Sequence, residues 1–401
     1  MKKQLLIVSH ALEIGGAERS LIGLLDALDP EKWNVDLFLL RHEGELMGEI
    51  PVHVHLLPAI SAYTVLARPM KDTLKEGHIL LTAARLTGKI AARQHAQKYC
   101  HTDSIVSLEY SHKFTCPFMP KIQPDKEYDL AISFLTPHYF VAQKVKAKKK
   151  IAWIHTDYTQ VQLDVESETA MWGVYDYIAS ISNAVTESFL MVFPGLKDKI
   201  VRIENILPET LIRKQAVEPV YDMQRAEDEK VLLSVGRFSF AKNFDNIPWI
   251  CKSILDAGMN VKWYLIGYGG DEALIRKNIA EAGMEDHVII LGKKANPYPY
   301  IAACDLYVQP SRYEGNCVTV HEAQMLGKPV VITRYATSAS QLEEGVDGLI
   351  VPMDNQGCAA GIADLLRNPK QMQQYRKACQ QRDYSNAREV EKLYELMENI
   401  C

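Results

Sequence analysis

The sequence has no run of about 18 apolar residues, so no segment reads as a membrane-spanning helix. Its eight cysteines (100, 116, 251, 304, 317, 358, 379 and 401) contain no C-x-x-C pair. That spacing argues against a zinc site or a disulfide framework and for a reducing compartment. No Asp-x-Asp triplet occurs, so the usual carboxylate seat for a divalent metal on a nucleotide is missing. A net charge of −5 gives no global reason to expect nucleic acid as a partner. Internal repeats and low-complexity tracts are absent too. Lys2 and Lys3 are followed by only a short apolar run before Ser9-His10, too short for a signal peptide. The expected location is cytoplasmic.

The length of 401 residues and 47% apolar content fit two ordinary globular domains. Short apolar runs of buried-strand type alternate with stretches of helical spacing, the pattern of α/β domains built on parallel sheets. In the first half the runs are 5–8, 35–40, 52–57, 129–134, 150–154 and 177–181, with 201–203 leading to an interdomain crossing near 204–206. Residues 206–230 are polar and charged and read as a linker. Runs at 231–235, 261–266, 288–291, 305–308, 330–333 and 349–351 restart the pattern. The expected domains are therefore 1–205 and 206–385.

The stretch from Gln309 to Thr333 carries the densest chemistry. It reads as strand, loop, helix and strand, with Gly327 and Pro329 stopping a helix from Val318 to Leu326. The loop lies at a strand's carboxyl end, where open α/β sheets bind ligands. Glu314 is followed by Gly315 and Asn316, small residues that allow close approach of backbone, and Glu322 falls eight residues on. A helix start offers unpaired amides to phosphate. Spacing alone equally fits a solvated loop carboxylate and a favourable N-terminal helix charge.

Three further stretches stand out. Gly15-Gly16 opens a helix after the first strand, either as a plain tight turn or as an approach to an anionic group. Gly236-Arg237 and Lys242 follow a strand directly, where a planar fork and a mobile ammonium could together hold a diphosphate. Between 61 and 100, seven basic residues (68, 71, 75, 85, 89, 93, 98) face only Asp72 and Glu76. Leu80, Leu81, Ala84, Leu86 and Ile90 would give this segment an apolar face. It suits either a solvated helix covering a sheet or peripheral contact with an anionic membrane. Lys144 to Lys150 adds five lysines.

Glu314-x7-Glu322 with Ala323 and Gly327-Lys328-Pro329-Val330-Val331, preceded by Arg237-x4-Lys242, resembles the signature of retaining, nucleotide-sugar-dependent glycosyltransferases of the GT-B fold, family 4. The resemblance implies two facing Rossmann-like α/β/α domains with a cleft between them, the last helix (386–401) packing back on the acceptor-side first domain. It implies hexosyl or N-acetylhexosaminyl transfer from a nucleotide sugar, a UDP-sugar by expectation, to a polysaccharide, lipid-linked or wall-polymer acceptor at the membrane's inner face. Arg237 and Lys242 would stabilise the leaving diphosphate without a metal or other cofactor. Glu322 would hold ribose hydroxyls and Glu314 those of the transferred sugar, assisted by amides from Gly315, Asn316, Cys317 and Val318. Gly15, Gly16, Gly236, Gly267 and Tyr298 would line the donor site, and His155, just after a strand, would contact the sugar or the reaction centre. Asn316-Cys317 and the Thr333–Ser338 turn depart from the family pattern and leave the sugar open. A noncatalytic GT-B partner that binds sugar nucleotide for another transferase is the alternative; keeping Arg237, Lys242, Glu314 and Glu322 together argues against it.

Overall fold

A computed structural model describes residues 2–99, 105–315 and 317–398, with the side chains of Gln160 and Glu398 left aside. The chain divides into two compact units, Met1–Ile206 with Ala387–Cys401, and Leu207–Asn386.

The first unit is built on seven strands: β1 (Lys3–Ser9), β2 (Trp33–Leu39), β3 (Val54–Leu56), β4 (Tyr128–Ser133), β5 (Ala147–Ile154), β6 (Tyr177–Ser180) and β7 (Ile200–Arg202). They form one sheet in the order β3-β2-β1-β4-β5-β6-β7, every pairing parallel. The chain starts in the middle, winds outward to β3, then returns beside β1 as β4. The carboxyl ends of β1 and β4 therefore flank the point where the winding reverses. The helix Val390–Glu398 belongs to this unit: Tyr394 stacks on Trp33 at 5.9 Å, and its hydroxyl accepts from the Asp29 amide at 3.1 Å. The expected helix 386–401 opens with a short 3₁₀ turn at Ala387–Glu389 and is α-helical from Val390, and residues 399–401 lie outside the described ones.

The second unit repeats the plan with β8 (Lys230–Val235), β9 (Val261–Ile266), β10 (Val288–Gly292), β11 (Leu306–Gln309), β12 (Val330–Thr333) and β13 (Gly348–Val351). Their order is β10-β9-β8-β11-β12-β13, again all parallel, and the reversal lies between β8 and β11. Apart from the edge strand β10, which is mostly half-buried, these strands are buried on both faces, which is why they read as continuous apolar runs. Alternate residues enter separate cores. Leu232, Trp263, Leu265, Leu306, Val308 and Val331 pack under helices Ile247–Asp256 and Asn355–Leu366. Val231, Leu233, Ile266, Tyr307, Val330 and Ile332 pack with Ile301, Val320 and Ala323 on the opposite side. Each fully buried aliphatic side chain contributes roughly 1.5–3 kcal/mol, so both faces hold the sheet firmly.

Two stretches fold differently from expectation. The segment read as linker contains the helix Glu209–Gln215, with Leu207 and Ile212 in the second unit's core and the Leu207 amide bonded to Ser385 O at 2.8 Å. A few apolar anchors outweighed its polar composition. The basic segment folds as several helices ending in Ile79–Lys98, whose buried residues are Leu81, Ala84, Gly88 and Ala92. Leu80, Leu86 and Ile90 are exposed, so the apolar residues expected on one face lie on different ones.

Candidate functional site

In the second unit the residues singled out by sequence gather at the carboxyl ends of β8 and β11, beside the point of reversal. β8 runs out into Gly236 and Arg237. The tight passage there explains the glycines after β9: a Cβ on Gly267 would stand 1.9 Å from Gly236 O, and one on Gly269 would stand 2.2 Å from Phe238 O. Backbone bonds Gly236 N–Ile266 O (3.0 Å) and Phe238 N–Tyr268 O (2.9 Å) clamp the two turns together. Packing alone thus requires a glycine at 267. The Arg237 side chain is exposed, and no ion pair involves it among the described residues.

Lys242 sits on a short 3₁₀ turn, Phe240–Lys242, ended by Asn243 in the left-handed region at φ 61°. Asn243 is buried and donates to Pro310 O at 2.8 Å, tying this turn to the loop that follows β11. A second tie is the paired contact of Arg312 with Asp245, at 2.9 and 2.7 Å, with Arg312 also lying over the Phe240 ring.

These ties bring Lys242 Nζ to 2.6 Å from Glu314 Oε1. Lys242 retains 20% side-chain exposure and Glu314 only 9%, so water screens the pair weakly. Burial by itself would depress the Lys242 ammonium; the Cys317 sulfur and the Glu314 carboxylate, both adjacent, outweigh it and hold the pKa above the ordinary lysine value. Cys317 is also buried, and burial, then Glu314, pushes its thiol up to about 11. At neutral pH the thiol is protonated, so Glu314 is the counter-charge that matters.

Sequence reasoning missed the residues that fix Glu314. Tyr307 donates to Gln309 Oε1 at 2.9 Å, Gln309 Nε2 donates to Ser311 Oγ at 2.9 Å, and Ser311 donates to Glu314 Oε1 at 2.5 Å. All three are fully buried. Because Ser311 accepts from the Gln309 amide, its single proton is committed to the carboxylate. Thr333 Oγ1 holds Ser311 O at 2.5 Å, and Thr337 Oγ1 holds Glu314 O at 2.7 Å. The available signal was a buried glutamine at the end of an apolar strand, a polar group that must find partners.

The helix Val318–Met325 starts at Cys317 without a side-chain cap and ends at Gly327, whose φ is 69°. Of the amides expected to meet a ligand, that of Cys317 already donates to Gln341 Oε1 at 2.7 Å. Gly315 is exposed, and Asn316 lies outside the described residues. Glu322 is wholly buried, and Tyr298 donates to its Oε1 at 3.0 Å. Tyr298 is itself in the core, so its connection to the site runs through this hydroxyl and not through an open ring face. Tyr335, on the turn after β12, is buried, its hydroxyl has no hydrogen-bond partner among the described residues, and burial first, then the nearby Cys317 and Glu314, raise its pKa. Among the described residues, no cluster of three or more His, Cys, Asp or Glu is arranged to hold a metal ion.

The remaining sequence candidates belong to the first unit. Gly15 caps the helix Gly16–Ala27 with backbone only. His155 follows β5 directly, packs 4.6 Å from Phe134, and is held neutral by burial, its pKa lowered to about 3. Its Nε2 is buried without a partner among the described residues.

Residues 222–382 match the family described as Glycosyl transferases group 1. The chain is 25% identical over 209 residues to the Campylobacter jejuni N-acetylgalactosamine-N,N'-diacetylbacillosaminyl-diphospho-undecaprenol 4-alpha-N-acetylgalactosaminyltransferase, covering 52% of this chain and 55% of that protein. It is 24% identical over 246 residues to the Bacillus anthracis N-acetyl-alpha-D-glucosaminyl L-malate synthase, covering 59% of this chain and 63% of the synthase. The chain thus spans little more than half the length of these curated relatives. In structure it resembles Anabaena HepE, solved in complex with UDP and glucose, with a TM-score of 0.66 at 16% identity, over 99% of this chain and 100% of that one. The likeness supports the GT-B fold expected from the sequence.

Proposed function

We propose that this chain, with its group 1 glycosyltransferase domain over residues 222–382, is a glycosyltransferase that moves a hexosyl or N-acetylhexosaminyl unit from a nucleotide sugar to a polysaccharide, lipid-linked or wall-polymer acceptor. The observation that carries the reading is the joining of Lys242 to Glu314, at the carboxyl ends of the two strands where the second sheet reverses. Open α/β sheets take their ligands there.

In this reading Arg237 and Lys242 neutralise charge that builds on the departing diphosphate, the task a metal ion performs in other transferases. Glu314 accepts from hydroxyls of the transferred sugar through the oxygen that Lys242 and Ser311 leave open. Glu322, steadied by Tyr298, serves the ribose, and the amides of Gly315 and Val318 assist. Gly15, Gly16 and His155 of the first unit are assigned to the sugar and acceptor side. The transfer retains configuration, the leaving phosphate oxygen taking the acceptor's proton as the new glycosidic bond forms on the same face. UDP is the favoured nucleotide, by the company of HepE with UDP and glucose. The relative acting on a diphospho-undecaprenol substrate supports a lipid-linked acceptor.

The test is a panel of UDP-, GDP- and ADP-sugars, scored by thermal shift and slow donor hydrolysis, with and without EDTA. Stabilisation and hydrolysis by one donor, unchanged by EDTA, is the expected result. Stabilisation with no turnover, with or without acceptor, would favour a noncatalytic binding partner, and no response to any donor would overturn the reading.

A further inference from the structure

The helix Ile79–Lys98 is apolar on two opposite sides. Its inner side, Leu81, Ala84, Gly88 and Ala92, is mostly small and packs against the helix Val106–Thr115. The approach is close: a Cβ on Gly88 would stand 2.9 Å from Tyr110 O. The larger aliphatics point elsewhere. At about 100° per residue, Ile79, Ala83, Leu86 and Ile90 line up on the side opposite that inner stripe, with Leu80 to one flank. Ile79 is 63% exposed, Leu80 66%, Leu86 49% and Ile90 52%. Exposing large aliphatics while burying alanine and glycine reverses the usual economy of a surface helix.

The charge along this helix has one sign. From Gly77 to Tyr99 there is no acidic residue, in a chain where acids outnumber bases 50 to 45. Lys89 and Arg93 flank the outer stripe at helical spacing, and Lys98 ends the helix; all three are exposed. The preceding helix, Met70–Lys75, adds exposed Leu74 between the exposed lysines 71 and 75. Arg85, by contrast, is used internally, bonding Val65 O and Arg68 O and pinning the connecting turn to this helix. No helix among the described residues is long and apolar enough to cross a membrane.

We propose that the outer side of Ile79–Lys98 docks flat on an anionic lipid surface, with Ile79, Leu80, Leu86 and Ile90 entering the headgroup boundary and Lys89, Arg93 and Lys98 meeting lipid phosphates. An aliphatic stripe edged by cations matches that chemistry on both counts. A protein groove would satisfy the aliphatics without requiring cations on their flank. The inference does not depend on the transfer reaction, because docking is read without donor or acceptor.

The experiment is co-sedimentation of the whole chain with phosphatidylglycerol-containing vesicles and with pure phosphatidylcholine vesicles, at low and high salt. Binding to the anionic vesicles alone, weakened by salt, is expected. Lys89→Ser with Arg93→Ser should lower the partition roughly tenfold or more. Leu86→Gln with Ile90→Gln should lower it comparably, roughly tenfold, by removing the inserted stripe. Every substituted residue is exposed, so melting temperatures should stay at the parent value and separate lost docking from lost folding. Absence of binding to anionic vesicles at low salt would overturn the proposal, as would variants that bind like the parent. A concentration-dependent dimer abolished by Leu86→Gln with Ile90→Gln, without vesicle binding, would assign the surface to a second copy instead.

Discussion

Lys242 and Glu314, 72 residues apart in sequence, meet at 2.6 Å because the turn after β8 and the loop after β11 are tied to each other by Asn243 and by Arg312 with Asp245. The pair sets the resting state of the proposed donor site. In the proposed roles, the cation assigned to the diphosphate is held by the carboxylate assigned to the sugar, so an arriving donor would compete for both.

Glu314→Gln keeps the shape and removes the charge. Lys242 is then no longer neutralised, so a nucleoside diphosphate should bind more tightly, by several-fold, while donor turnover falls. Calorimetric titration with UDP beside hydrolysis of the UDP-sugar reads both. Weakened UDP binding in this variant would show that Glu314 does not restrain Lys242.

Ser311→Ala removes one donor to Glu314 and leaves the ion pair in place. A hydrogen bond to a charged group is worth about 1.5–3 kcal/mol, so kcat should fall roughly tenfold or more. The affinity for UDP, which lacks the sugar, should stay unchanged. If kcat and UDP affinity fell together, Ser311 would be supporting the whole loop and not Glu314 in particular.

Tyr335→Phe deletes a buried hydroxyl that has no hydrogen-bond partner among the described residues. Were the hydroxyl only structural, its loss would stabilise the fold, since an unsatisfied buried group costs about 1–3 kcal/mol. Were it a contact to the transferred sugar, the KM for the sugar nucleotide should rise several-fold with UDP affinity unaltered. The second outcome is predicted, because Tyr335 stands in the turn where the sequence departs from the family pattern.

The first unit carries a pH dependence of its own. Burial, then Glu168 and Asp164, pushes the Glu109 carboxyl up to about 9, and burial raises Glu168 to about 7. The native state therefore keeps protons that the unfolded chain releases above its ordinary carboxyl range. Stability from this source is fully present below about pH 4.5 and is lost as pH rises toward 9, by at most about 1.4 kcal/mol per unit per group. His112 and His138 are lowered by burial and work in the opposite direction, but only below their unfolded values near 6.5. Between pH 7 and 9 the carboxyls dominate. The melting temperature should fall across that window, and Glu109→Gln should flatten the fall; an unchanged slope in the variant would contradict it.

Much of the second unit could be read from the chain. Val330 to Thr333 is a strand because four buried residues leave no alternation, and Gly327 stops the helix before it because the chain turns left-handed there. What stayed hidden depended on tertiary placement. Gln309 and Ser311 do not stand out in the sequence, yet they share the strand's inward period with Tyr307 and form one directed chain to Glu314. Tyr298, a sequence candidate for lining the donor site, has its ring in the core and its hydroxyl on Glu322. The helix Glu209–Gln215 was masked by charge, because few apolar residues, Leu207 and Ile212 among them, anchor this segment. In Ile79–Lys98 the period was clear but its direction was not, since Gly88 and Ala92 win the inner side by being small.

The central claim is that Lys242 stabilises charge on a departing diphosphate, and the most direct measurement is the rate of sugar-nucleotide hydrolysis by the parent and by Lys242→Ala, both in EDTA. The parent should turn over one donor in EDTA, and the variant should lose roughly tenfold to a thousandfold in kcat, the range expected for a lost transition-state charge contact. Turnover by Lys242→Ala within about threefold of the parent would fall outside that range and contradict the account.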